Sequence, residues 1–142
     1  MYKKILVALE NGPADETMLP QITQLAARLG SELLLLHVAD GWAARSFDQL
    51  KLAESEEIKN DRAYLEKTAA HLRGKNLVVS IRLAMGNPPA EILKVAETEH
   101  CNLIAMTSHG HRFFSDIFHG STITQVRHHT HLPIFLVRAE KK

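Results

Sequence analysis

The stretch 102–122, NLIAMTSHGHRFFSDIFHGST, holds the residues best suited to chemistry. Gly110, His111 and Arg112 come first, and nine residues separate Gly110 from Gly120, Ser121 and Thr122. Gly110 can take a positive φ and lets a ligand approach the backbone. Gly120 and Ser121 stand where a helix would open, and the first amides of a helix have no partner within it. Amides at the positive end of a helix dipole draw phosphate oxygens. His111 and Arg112 can turn cationic groups to the same oxygens, and the hydroxyls of Ser121 and Thr122 add donors. The pattern predicts a phosphate cradle. The competing reading is that two glycines shape a turn and Ser121 caps a helix.

Other chemistries are less well supplied. Nine histidines invite a metal reading, above all His109 with His111 and the group His128, His129 and His131. Zinc needs three or four ligands converging on one ion, and spacing alone does not deliver that, so no metal site is assigned. His128 to His131 spans a helix end, where cations complement the dipole. No Walker sequence is present, since Gly74-Lys75 lacks the upstream glycine. His109-Gly110-His111 resembles a nucleotidyl-transfer motif, but it follows the fourth strand, whereas the turn after the first strand is ENGP. No catalytic residue is assigned. His37, inside an apolar run, reads as a hydrogen-bonded core histidine, and Cys101 as a packing residue. Phe113, Phe114, Ile117 and Phe118 make the segment between the glycines apolar, as core against the sheet or as a lid.

Such a cradle needs a rigid frame, and the chain supplies one. Lys3 to Leu9 reads as a buried strand followed by turn residues. Met18, Ile22, Leu25, Ala26 and Leu29 then fall on one helical face, with Gly30 as the stop. Pro20 lacks the amide that would bond Glu16, so this helix starts near Thr17 or bends. Glu32 to Val38 is a second apolar run of the doubly covered kind. Asp48 to Leu72 predicts a long, exposed, salt-bridged helix with Ile58, Leu65, Ala69 and Leu72 along one stripe. Leu77 to Ala84 alternates and belongs at or near a sheet edge. Asn87 caps a helix with Pro88 at its first position. Asn102 to Met106 forms the fourth strand, Ser121 to His129 the last helix and Pro133 to Arg138 the fifth strand. Five strands alternating with four helices predict an α/β fold with a doubly wound parallel sheet. Ligands bind such sheets beyond the carboxyl ends of the strands, where the strand order reverses.

Composition bounds the rest. One domain, 1–142, suits 142 residues with 45% hydrophobic content. Seventeen basic and 16 acidic residues give a formal charge of +1 without a basic block, which argues against nucleic acid as a partner. A single cysteine forbids an intrachain disulfide and suits a reducing compartment, the cytoplasm. No run approaches the roughly 20 apolar residues that span a bilayer, so no membrane partner is expected.

Thr107, two residues, Gly110, nine residues, then Gly120 and Ser121, placed directly after the fourth strand, resembles a known signature. The nucleotide-binding branch of the universal stress protein family carries Gly, two residues, Gly, nine residues, then Gly and Ser or Thr. Met106, Ser108 and His109 are similar as well, and LLHV, GNPPAEI and VRHHTHLPIFLV extend the resemblance over the whole chain. The first glycine is replaced by Thr107, whose β-branched side chain tolerates positive φ poorly. Either the turn differs there or the position needs no glycine conformation.

The resemblance implies a five-stranded parallel sheet of order 3-2-1-4-5 with four helices, adenine nucleotide alpha hydrolase-like. That order sets the reversal between strands one and four and puts Glu10 opposite the cradle. Ala8, Leu9 and Glu10 stand where the family has Pro, a variable residue and Asp. The Glu10 carboxylate would accept from ribose hydroxyls, or else be a solvated loop group. Val38 would face adenine with its backbone, Met106 and Thr107 would border the nucleoside, and Gly110, Gly120, Ser121 and Thr122 would hold the phosphates. The implied cofactor is ATP or another adenine nucleotide, with Mg or Mn on the phosphates. The implied role is a cytoplasmic stress-response sensor with at most slow ATP hydrolysis. The alternative is a nucleotide-free member acting through an unknown protein partner. A homodimer through the strand at Pro133 to Arg138 is also implied.

Overall fold

A computed structural model of the protein describes residues 1–40, 47–108 and 120–139. The elements run β1 (Lys4–Ala8), α1 (Asp15–Leu29), β2 (Glu32–Asp40), α2 (Phe47–Arg73), β3 (Val79–Gly86), α3 (Pro88–Thr98), β4 (Leu103–Ser108), α4 (Gly120–His129) and β5 (Ile134–Arg138). All strand pairs are parallel, and the sheet order is β3-β2-β1-β4-β5. The expected doubly wound α/β fold is therefore what the chain forms.

The apolar runs explain the layering. Successive side chains of a strand point to opposite faces, so a strand without polar alternation must be covered on both. Ile5, Val7, Leu33, Leu35, Leu103 and Ala105 pack with Met18 and Ile22 of α1 and Leu65, Ala69 and Leu72 of α2. Their alternates Leu6, Leu34, Leu36 and Ile104 pack on the other face with Ile92, Val95 and Ala96 of α3 and Val126 of α4. A shift of register by one residue would exchange the two cores entirely, which fixes the pairing.

Helix ends follow the local chemistry. Asn87 takes an extended conformation, and its side chain accepts the Ala90 amide at 3.2 Å while Pro88 and Pro89 occupy the first turn. Gly30 closes α1 in the left-handed region at φ 67°. The start of α1 departs from expectation. Of the two alternatives, a start near Thr17 is not what forms: the helix begins at Asp15, and Pro20 lies inside it. The amides of Asp15, Glu16 and Thr17 bond three residues back, to Gly12, Pro13 and Ala14, so a tight first turn is complete before the proline is reached.

The second correction concerns α2. Ile58 is half-buried, and Leu65, Ala69 and Leu72 are buried, as the stripe predicts. Among the described residues, however, no ion pair joins two side chains of this helix. Among the described residues, the contact that one of its acidic side chains makes with a basic one is inward, from Asp61 Oδ2 to His37 Nε2 at 3.3 Å. β3 and β5 are the two edges, and Leu136 on β5 is 49% exposed.

Candidate functional site

The strand order reverses between β1 and β4, so their carboxyl ends diverge into the crevice where α/β sheets bind ligands. Val7 pairs with Ala105, and carrying that register two residues on sets Leu9 level with Thr107. Ala8, Leu9, Val38, Met106 and Thr107 all reach this edge and are fully buried. They divide between the two faces. Ala8, Val38 and Met106 share the core under α3 and α4, whereas Leu9 belongs to the core under α1 and α2. Strand alternation puts Thr107 on the latter side, in step with Ala105.

Thr107 is an ordinary strand residue. β4 continues through Ser108, and Thr107 is absent from the described non-glycine residues with positive φ. A β-branched side chain is at home there, so the position needs no glycine conformation. Its hydroxyl oxygen is buried, and no described residue gives it a hydrogen-bond partner. Gly120 and Ser121 open α4, and Thr122 in its first turn is buried. Gly110, His111 and Arg112, with the apolar group Phe113, Phe114, Ile117 and Phe118, lie outside the described residues.

Glu10 is not a solvated loop group, since only 9% of it is exposed. Its position is set by Asp15, whose carboxylate accepts the amides of Glu10 at 3.0 Å and Asn11 at 2.9 Å. The Tyr64 hydroxyl of α2 donates to the same carboxylate at 2.5 Å. Burial raises the Asp15 carboxyl above its ordinary 3.8, and the hydrogen bonds from Tyr64 and the loop amides act in the opposite direction. Burial, and then the Asp15 charge, also push the Tyr64 phenol upward, so it stays a donor. Asn11 takes the left-handed conformation at φ 59°, which Asn tolerates better than most residues.

A second set of bonds lies beside the first. His37 is buried, as its place in an apolar strand suggested, with Nδ1 2.9 Å from the Leu9 carbonyl oxygen and Nε2 3.3 Å from Asp61 Oδ2. Asn11 Nδ2 donates to Asp61 Oδ1 at 2.9 Å. Asn11, Asp15, Asp61 and Tyr64 were not singled out from the sequence. One signal was available: Asp61 lies four residues before Leu65 on the stripe that faces the core, where a bare carboxylate cannot be left.

The histidine group at the end of α4 faces another part of the molecule. His129 Nδ1 lies 2.8 Å from the Gln125 carbonyl oxygen, and His129 and His131 line a groove of about 440 Å³ with His100, Leu93 and Leu132. Among the described residues, no three His, Cys, Asp or Glu side chains converge as metal ligands. Cys101 is buried, and burial pushes its thiol up to about 11, with Lys4 opposing and Glu99 reinforcing the shift. No described helix is long and apolar enough to cross a membrane.

Residues 1–138 match the sequence profile of the universal stress protein family. The chain belongs to that family. The universal stress protein MJ0577 of Methanocaldococcus jannaschii is 27% identical over 158 residues, covering 97% of this chain and 96% of the relative. A solved structure of MJ0577 superposes with a TM-score of 0.81 at 24% identity, covering 100% of this chain and 99% of the other. Two further universal stress protein structures hold adenine nucleotides. One, from Archaeoglobus fulgidus in complex with dAMP, has a TM-score of 0.70 at 19% identity and covers 96% of this chain and 98% of the other. The other, in complex with cAMP, has a TM-score of 0.67 at 13% identity and covers 98% of both chains. At these identities the structural likeness speaks for the fold, and the fold is shared across the full chain.

Proposed function

We propose that this universal stress protein binds ATP or a related adenine nucleotide in the crevice between β1 and β4 and uses occupancy as a regulatory signal. The observation that carries this reading is the Thr107 hydroxyl, buried at the end of β4 without a described partner, at the point where the strand order reverses. A buried hydroxyl left unbonded costs about 1–3 kcal/mol, a cost that a bound polar ligand removes. The nearly buried Glu10 supports the same reading as an acceptor for ribose hydroxyls at the end of β1. α4 opens at Gly120 with amides that suit phosphate. The dAMP and cAMP complexes of family members are in keeping with an adenine ligand.

In this reading Ala8, Leu9, Val38 and Met106 form the floor and act through their backbone, because their side chains are spent on the core. Gly110, His111, Arg112, Gly120, Ser121 and Thr122 face the phosphates, with Mg or Mn riding on the nucleotide. Ligand shifts conformation only by its difference in affinity for the two states. Titration calorimetry with ATP, ADP and AMP tests the site. Heat with a fitted stoichiometry near one is expected, and no heat at millimolar nucleotide overturns it.

We further propose a cytoplasmic homodimer through β5. Leu136 is exposed, while Ile134 and Phe135 are half-buried on an edge strand whose outer backbone groups are unpaired by the sheet. Sedimentation as a dimer at micromolar concentration is expected. A nucleotide-free member acting through a protein partner is the outcome if calorimetry is silent and no nucleotide copurifies.

A further inference from the structure

We infer that His37 and Asp61 are positioning residues: together they hold one proton that fastens α2 to the loop carrying Glu10, so that ligand affinity in the crevice depends on that proton. The inference rests on the nucleotide site proposed above. Nδ1 of His37 faces the Leu9 carbonyl oxygen at 2.9 Å, and a carbonyl can only accept, so Nδ1 carries a hydrogen. Nε2 then faces Asp61 Oδ2 at 3.3 Å. A neutral ring and an ionised carboxylate would set a lone pair against an anion, with both side chains at most 7% exposed. The contact is attractive only if a second proton sits between them, on Nε2 or on Oδ2.

The consequence reaches the crevice through Asn11. The other Asp61 oxygen accepts from Asn11 Nδ2 at 2.9 Å, and this bond, with the Asn11 amide on Asp15, holds the residue after Glu10 at φ 59°. Leu9, directly before Glu10, is held by His37. Both neighbours of Glu10 are therefore tied to the same proton-bearing pair. The other described ionisable groups of this cluster are Glu10, Asp15 and Glu16 on the β1–α1 side and Tyr64 on α2. β3 contributes no charge here, since His37 pairs with Leu83.

The sign follows. Affinity is full while the bridge holds its proton and falls once rising pH removes it, by up to about tenfold per pH unit for one linked proton. Asp61→Asn is the decisive variant. Its amide donates permanently to a neutral Nε2 while its oxygen still accepts from Asn11, so it mimics the protonated bridge at every pH.

ATP affinity is measured by calorimetry from about pH 5.5 to 9. The expected result is a wild-type Kd that rises at least fivefold and a flat profile for D61N. A flat wild-type profile, or a D61N profile that follows wild type, overturns the inference. A readout without nucleotide separates this from failure of the site itself. In long-range proton–nitrogen spectra of the unliganded protein, the His37 ring nitrogens and the Asn11 side-chain amide should shift with one common midpoint. If the Asn11 signals stay still while His37 titrates, the bridge does not position the loop, whether or not ATP binds.

Discussion

Replacing Thr107 with valine keeps the shape of the side chain and deletes its hydroxyl. The residue is fully buried, and among the described residues no group bonds its oxygen; if no other residue does, the unliganded wild type carries the cost of a desolvated hydroxyl. That cost is about 1–3 kcal/mol, and valine removes most of it while adding a buried methyl group. For a chain of this size each kcal/mol moves the midpoint of thermal unfolding by roughly 3 °C, so T107V should melt about 3–9 °C higher without ligand. ATP should bind it more weakly, by about 3–10-fold, the worth of one neutral hydrogen bond. Opposite signs in the two measurements are the diagnostic. Circular-dichroism melting and calorimetry on the same preparations give both. If T107V melts lower than wild type, the hydroxyl has a partner in the unliganded protein and the reasoning fails. If the midpoint rises but ATP affinity is unchanged, Thr107 is a core residue beside the site and no part of it.

Asp15→Asn leaves one acceptor oxygen for the amides of Glu10 and Asn11 and the Tyr64 hydroxyl, and should cost about 1–3 kcal/mol in urea unfolding. Because burial raises the Asp15 carboxyl, the folded chain binds that proton more tightly than the unfolded one. Its contribution to stability is therefore greatest below 3.8 and falls as pH rises through the raised value. The advantage of wild type over D15N should shrink from acid towards neutral pH, and an advantage that grows would contradict the burial account. Cys101, held up to about 11 and buried, should react with an aromatic disulfide reagent only as the protein unfolds; rapid labelling of the native chain would show that α3 and α4 open there. If the proposed dimer forms through β5, Leu136→Lys on its exposed edge should sediment as a monomer, with a melting midpoint within a few degrees of wild type.

The frame was readable because its signals are local. Apolar runs such as Ile5 to Leu9 and Leu33 to Leu36 permit only strands covered on both sides, and the Asn87-Pro88 start of α3 is written in two adjacent residues. Pro20 misled the start of α1 because the tight turn before it depends on carbonyls of Gly12, Pro13 and Ala14, which carry no side-chain signature. The polar cluster behind Glu10 was out of reach for a different reason. Asp15 and Tyr64 are far apart in sequence, as are Asn11 and Asp61, and the place of Asp61 on the core-facing stripe, four residues before Leu65, says that it needs a partner without saying which. The charge pattern of α2 instead suggested surface pairing, whereas Asp61 turns into the protein to meet His37. Thr107 was visible as a departure from a glycine, but only its place inside β4 shows that the backbone never required one.

The sheet order has a geometric consequence for communication between copies. Strands in a sheet lie about 4.8 Å apart. Two molecules abutting at β5 would extend one continuous ten-stranded surface; their β1–β4 crevices would be offset by four strand spacings across it, about 19 Å, and would open at opposite ends of the strands, because a two-fold pairs β5 with its copy antiparallel. Only β4 and β5 of each molecule intervene. The strand that carries Thr107 would thus touch its own crevice on one flank and, through a single neighbour, the seam between molecules on the other.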